Sequence, residues 1–228
     1  MIGRTTRRTR RSRHAGAPRF PGAAHPYPRG LAGRLVSDEL DGAAEILGQP
    51  ERLAQAVAAA KRGDAAAWDE LFERFHADVH AYALARLGDW SGAEDVTQDT
   101  FVAAVGSIRG LRDDREPVVR AWFLHICRHK TLDHIRRLGR QQRPVAMPAA
   151  ADEDPSEVAE NHIRADEMRE AMNELTEEQR DIMVRRFVLD QSLDDVALAT
   201  GRSVGAVKSL QHRALATLQR IIAARSAA

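Results

Sequence analysis

His125, His129 and Asp133 follow one another at four-residue intervals, so a helix would set them on one stripe. Two histidines and a carboxylate can bind zinc or iron where they converge. Trp122 and Arg136 share that stripe. An aromatic ring among cations suits single-stranded nucleic acid, because bases stack on the ring while cations hold phosphates. The bland alternative is ordinary surface, with Trp122 packed against a neighbouring helix. Arg120, Arg128, Lys130, Arg137, Arg140 and Arg143 make the segment strongly positive. No His-Glu-x-x-His motif and no second ligand cluster accompany the histidines, so no resident metal or cofactor is expected.

A second set lies near the C-terminus. Lys208, Ser209, His212, Arg213 and Arg220 fall on one arc of a helix, opposite Val204, Val207, Leu210, Ala214, Leu218 and Ile221. Cations and short hydrogen-bonding side chains near a helix start, with Gly205 and Ala206 permitting close approach, fit a major-groove recognition helix. A plain solvated face is the alternative. A third set, Asp95, Gln98 and Asp99, makes an acidic face with a central amide that could dock a basic helix or simply be solvated. Nothing points to catalysis. There is no Gly-rich phosphate loop and no Gly-x-Ser-x-Gly elbow, and the single cysteine, Cys127, falls on an apolar helix side as an inert thiol.

The elements that position these residues read as helices. Asp64 can cap a helix bearing Trp68, Leu71, Phe72, Phe75, Val79 and Tyr82 at three- and four-residue spacings, ended by Gly88. A shorter Ala-rich helix over 53–62 precedes it. Ser91 with Glu94 reads as a capping box for the next helix, whose Phe101, Val105 and Ile108 have core spacing. Residues 109–117 form a loop before a helix over about 118–138, with Phe123, Leu124, Cys127, Ile135 and Leu138 on its apolar side. Thr176 with Gln179, then Ser192 with Asp195, start two more helices. Thr200-Gly201 is a turn, and Ser203 caps the last helix, expected to reach about Ile222. Two helices joined by a short Gly-containing turn is the helix-turn-helix pattern.

Charge divides the chain. Its 228 residues carry 34 Lys+Arg and 33 Asp+Glu, yet residues 1–37 hold nine Arg and no acid, and residues 144–163 hold five acids and no Lys or Arg. Both are unperiodic and contain Pro, as expected of a disordered basic arm and an acidic tether. One cysteine excludes an intramolecular disulfide and a Cys-only zinc site. No apolar run reaches the ~18–20 residues of a membrane span, and no apolar run follows the Arg-rich start as in a secretory signal. A reduced, soluble, mainly helical cytoplasmic protein is expected, without membrane insertion.

At this point the residues resemble a family. Ala93-Glu94-Asp95-Val96-Thr97-Gln98-Asp99-Thr100-Phe101 is similar to region 2.2 of the sigma-70 family. Arg120-Ala121-Trp122-Phe123-Leu124-His125-Ile126-Cys127-Arg128-His129, with Asp133 and Arg136-Arg137, resembles regions 2.3 and 2.4. Leu189 to Ala197, then Ser203 to Ser209 and His212-Arg213-Ala214, resembles region 4.2. Regions 2 and 4 alone, in that order, are the layout of the extracytoplasmic-function (ECF, group 4) sigma factors. The resemblance implies an all-α chain of two small helical domains: region 2 over 51–143 and a helix-turn-helix region 4 over 165–228. A flexible acidic linker over 144–164 would join them, behind a disordered Arg-rich arm over 1–50.

Roles follow from the resemblance. Asp95, Gln98 and Asp99 match the surface for the β′ clamp helices of core RNA polymerase. The loop over 110–117, with Arg112, and then Arg120, Trp122, His129, Asp133, Arg136 and Arg137 match the surface that opens and reads −10 promoter DNA. A base there is flipped from the stack into a pocket. Arg202, Ser203, Lys208, Ser209, His212 and Arg213 match the −35-reading positions, and the helix near 176–189 matches the part that meets the β flap. Many relatives are held by an anti-sigma factor, a further candidate partner. Departures exist: His129 replaces a common Asn, and Leu210-Gln211 replaces a common basic–apolar pair. The arm over 1–37 has no counterpart in the minimal layout and reads as an extension, a removable pro-segment or a misassigned start, with Val36 as the alternative. The C-terminal Ser226-Ala227-Ala228 reads as a frayed helix end or a protease degron. Two other functions stay open: a helix-turn-helix regulator acting without polymerase, and a helical metal-dependent enzyme using His125, His129 and Asp133.

Overall fold

The structure, a computed structural model, describes residues 50–139, 168 and 170–226. The basic arm, the acidic tether, Arg140, Arg143 and the two terminal alanines lie outside the described residues. Those described form helices, with no strand among them. We number them α1 (Pro50–Lys61), α2 (Ala65–Leu87), α3 (Trp90–Ser107), α4 (Glu116–Leu138), α5 (Glu177–Phe187), α6 (Leu193–Thr200) and α7 (Val204–Ser226). A short 3₁₀ turn, Ile108–Gly110, follows α3.

The first four helices share one core. Leu71, Phe75, Val79 and Tyr82 of α2 are fully buried, as their spacing requires. The ring of Phe75 stacks on Phe123 at 5.1 Å, and Phe101 tilts onto Phe123 at 5.1 Å, so α2, α3 and α4 meet at one aromatic cluster. Cys127 is buried beneath it, its thiol pushed up to about 12 by burial, so it stays a neutral core group. Gly92 is fixed by close approach: a Cβ there would meet Asp89 Oδ2 at 2.8 Å and His134 Nε2 at 3.0 Å.

The caps decide where helices start. Asp64 accepts from the Ala66 amide, as expected. The expected Ser91–Glu94 box does not form. Asp89, one residue before the helix, accepts from the Gly92 amide at 2.8 Å, and Glu94 instead accepts from the Trp90 indole. An Asp carboxylate at N-cap competes well with a Ser hydroxyl. Pro117 sits in the first turn of α4, where its missing N–H costs nothing, so the helix begins at Glu116. Val105, Ile135 and Leu138, expected in the core, are 36%, 36% and 38% exposed. They lie near the C-terminal ends of α3 and α4.

The second module has two apolar clusters. Ile182, Val196, Ala197, Val207 and Leu210 close the helix-turn-helix, while Ala171, Leu175, Met183, Ala214 and Leu218 anchor the far half of α7. Thr176 and Gln179, then Ser192 and Asp195, form complete capping boxes. Gly201 ends α6 at φ 64°, a left-handed position where a Cβ would be strained, and so turns the chain sharply into α7. Ser203 Oγ accepts from the Ala206 amide and caps α7, which runs four residues past the expected end. The Arg180 guanidinium donates to the carbonyls of Met172, Asn173 and Leu175, satisfying the end of the preceding helical turn.

Contacts also join the two modules: α5 packs on α2, and α6 packs on α4.

Candidate nucleic-acid and polymerase interface

Three exposed faces carry the candidate residues. On α3, Asp95 and Gln98 are exposed and Asp99 is half-buried, on the side away from Val96, Thr100 and Phe101. With His134, Arg137 and Leu138 they line an open groove of about 340 Å³. Arg137 stands 3.9 Å from Asp99. The acidic face is thus continuous with the cationic end of α4.

On α4, Trp122 is half-buried and meets the Phe123 ring edge-on at 4.9 Å. Packing holds part of the indole and leaves part of it at the surface. His125 and His129 are exposed, their rings edge-to-face at 4.6 Å. Burial, then the His129, Arg128 and Arg185 charges, lower the His125 pKa below the usual imidazole value, against the opposing pull of Asp181. Asp133 is exposed and bonded to Arg136 at 3.0 Å. Eight residues of helix put Asp133 about 12 Å along the axis from His125, too far to share one ion. Among the described residues no group of three or more His, Cys, Asp or Glu is placed to hold a metal. Arg112 is exposed on the loop before α4. Arg120 is less free than the other cations: it pairs with Asp78 at 2.9 Å and with Glu116 at 2.9 Å.

On α7, Lys208, Ser209, His212 and Arg213 are exposed, while Val207, Leu210 and Ala214 on the opposite side are buried. The expected separation of arcs is therefore present. Ser203 is occupied as a cap, and Arg202 bonds Glu178 at 2.5 Å, so these two stand at the rim of the face. Phe187 and Val188, at the end of α5, are 57% and 43% exposed and make an apolar tip.

Sequence reasoning missed a buried polar network between the modules. The Tyr82 hydroxyl donates to Asp181 at 2.5 Å, and Arg86 donates to both carboxylate oxygens of Glu177 at 3.0 and 2.7 Å. Arg128 stands 3.3 Å from Glu177. Burial acts against the Arg86 charge, but the bond to Glu177 and the neighbouring Tyr82 outweigh it and raise the pKa. An arginine four residues after a core tyrosine, on the same helix side, was the one available signal.

The Sigma-70 region 2 model matches residues 71–141, and the Sigma-70, region 4 model matches residues 165–218. The ECF RNA polymerase sigma factor SigD of Mycobacterium tuberculosis is 35% identical over 182 residues, covering 75% of this chain and 84% of that one. The ECF RNA polymerase sigma factor BldN of Streptomyces coelicolor is 27% identical over 175 residues, covering 75% and 66%. Among solved structures, CnrH in complex with the cytosolic domain of CnrY matches with a TM-score of 0.56 and 26% identity, over 77% of this chain and 99% of that one. The sigma factor RpoE, bound to the anti-sigma factor NepR from Bartonella quintana, shares the fold with a TM-score of 0.50 at 22% identity, over 67% and 94%. With both halves of the pattern matched and a relative 35% identical over most of both chains, the chain belongs to the sigma-70 family as an ECF RNA polymerase sigma factor, a non-enzymatic factor of transcription initiation.

Proposed function

We propose that the three exposed faces divide the labour of promoter recognition. Asp95, Gln98 and Asp99 on α3 dock the clamp helices of core RNA polymerase. Trp122, His129, Asp133, Arg136 and Arg137 on α4, with Arg112 on the preceding loop, capture the opened −10 strand, and Arg120 shapes that face through its ion pairs. Lys208, Ser209, His212 and Arg213 on α7 read −35 duplex, with Arg202 and Ser203 at the edge. The apolar tip Phe187–Val188 meets the β flap. No helix among the described residues is long and apolar enough to cross a membrane, and the factor works in the cytoplasm, where the polymerase is. An anti-sigma factor is a further partner of this reading, as NepR is of RpoE from Bartonella quintana.

The observation that carries this reading is the exposed cationic arc of α7 set on a packed helix-turn-helix. Sequence readout needs side chains that reach base edges from a rigid helix, and phosphate contacts to hold the register. Footprinting of the reconstituted complex with core polymerase tests it. Protection over two separate boxes upstream of the start site is expected; protection of one box, with or without polymerase, would refute the division of labour.

A further inference from the structure

The guanidiniums of Arg86, Arg128 and Arg185 gather around two carboxylates, Glu177 and Asp181. Arg86 takes both oxygens of Glu177. Asp181 serves several donors at once: the Tyr82 hydroxyl at 2.5 Å, Arg185 Nε at 3.2 Å and, more distantly, the Arg128 charge at 3.9 Å. Positive charge is therefore in surplus, in a place largely cut off from water, for Arg185 is 2% exposed. Charge held in such a place is costly unless a counter-charge and hydrogen bonds satisfy it.

A cavity of about 230 Å³ opens beside this surplus. His125 and Arg128 of α4, Asp181 and Arg185 of α5, and Arg202 in the turn before α7 line it. Two buried donor atoms of this lining, Arg185 Nη1 and Arg128 Nε, have no hydrogen-bond partner among the described residues. The carboxylates of the lining are already engaged, Asp181 as above and Glu178 by Arg202 at 2.5 Å. The His125 imidazole feels the same field: after burial, the His129, Arg128 and Arg185 charges hold its pKa down, against Asp181. Unused cationic donors, engaged carboxylates and open space beside them suit an anion rather than a cation.

The donors reach the cavity from three separate elements. An ion whose acceptor oxygens point several ways answers them better than a planar carboxylate, and guanidinium forks match phosphate oxygens in pairs. We propose that this cavity binds a small phosphate-class oxyanion, either the free ion or the terminal phosphates of a nucleotide, held by Arg128 and Arg185 with His125 and Arg202 completing the shell. Neither the acidic face of α3 nor the cationic arc of α7 lines the cavity, so the site is independent of the partners assigned to those faces.

Isothermal titration calorimetry of the full chain at fixed ionic strength tests this, with inorganic phosphate, pyrophosphate, GDP and acetate as probes in turn. Saturable binding of phosphate or pyrophosphate is expected, with acetate about tenfold weaker or more. GDP bound more tightly than pyrophosphate identifies a nucleotide as the source; pyrophosphate bound as tightly or more tightly identifies the free ion. Arg185→Gln and Arg128→Gln should each weaken binding about tenfold or more, since each removes a charge-assisted hydrogen bond. Arg62→Gln, at an exposed position outside the cavity, should bind as the parent does. Circular dichroism checks that the Arg185 variant folds; Arg128, whose side chain is partly exposed, carries the test if it does not. No saturable binding of phosphate, pyrophosphate or GDP overturns the site. Undiminished affinity in Arg128→Gln also overturns it, by assigning the binding to cations elsewhere, and acetate bound as tightly as phosphate overturns the ligand class.

Discussion

The hydroxyl of Tyr82 and the carboxylate of Asp181, 99 positions apart in the chain, meet at 2.5 Å in a buried contact between the two modules. Burial, and then the Asp181 charge, hold the phenol well above its ordinary pKa, so it remains a donor. Asp181 also accepts from Arg185 at 3.2 Å within its own helix. Tyr82→Phe keeps the ring and removes the donor. Removing the partner of a buried acceptor should cost about 1–3 kcal/mol of inter-module stability. Urea unfolding followed separately in each module should show the second released earlier than in the parent; coincident, unchanged transitions would deny the contact any weight.

Asp99 faces outward beside Arg137 and supports no core residue. Asp99→Arg should therefore leave the circular dichroism spectrum unchanged while weakening core polymerase binding roughly tenfold or more, because it sets like charge against a basic partner. A pull-down with undiminished affinity would move the docking surface elsewhere.

Lys208 and Arg213 project from α7 on its exposed side. Lys208→Ala and Arg213→Ala should each cost ~1–3 kcal/mol in −35 duplex binding and relax sequence preference if they read bases. Uniform loss across sequences with a shallower salt dependence would assign them to phosphates instead. Competition with scrambled duplex separates the two.

Trp122 is half-buried, with the Phe123 ring set edge-on against it, so part of the indole reaches the surface. Trp122→Ala should lose about 1–3 kcal/mol of single-strand capture while sparing duplex binding. Permanganate reactivity of −10 thymines reports this, and undiminished reactivity would show that the indole is structural.

His76 and His80 of α2 stack at 5.9 Å, and His80 meets the Trp90 ring at 4.6 Å. Burial lowers both pKa values; His76 adds to the effect on His80, and Glu94 opposes it. The unfolded chain therefore takes up protons first, near the ordinary value of 6.5, and the folded chain only at lower pH. Their contribution to stability is full above that value and falls as pH drops through the folded values. The melting temperature should decline between about pH 7.5 and pH 5.5, and His80→Phe should flatten the decline. A parallel decline in the variant would place the titration elsewhere.

Much of this was legible in the residues. The Leu71–Phe75–Val79–Tyr82 stripe, the Thr176 and Ser192 capping boxes and the two arcs of α7 follow from spacing and local hydrogen bonding, which act over one or two turns. The start of α3 is ambiguous in the residues because Asp89 and Ser91 are both good caps, and only the backbone geometry distinguishes them. The exposure of Ile135 and Leu138 was not legible either, since periodicity shows which side of a helix is apolar but not how far its neighbours extend. The pairing of Tyr82 and Arg86 with Asp181 and Glu177 joins distant segments, and no local pattern encodes which carboxylate meets which donor. Similarly, the tethering of Arg120 to Asp78 and Glu116 depends on the docking of α2 against α4.

Transcription with purified core polymerase tests the central claim most directly. Genomic fragments are transcribed with and without the full chain, and the 5′ ends of the transcripts are mapped. The account predicts discrete start sites that appear only with the factor and share two upstream elements, and their loss with Asp99→Arg. Transcripts that are the same with and without the chain, or start sites with no shared upstream elements, would contradict it.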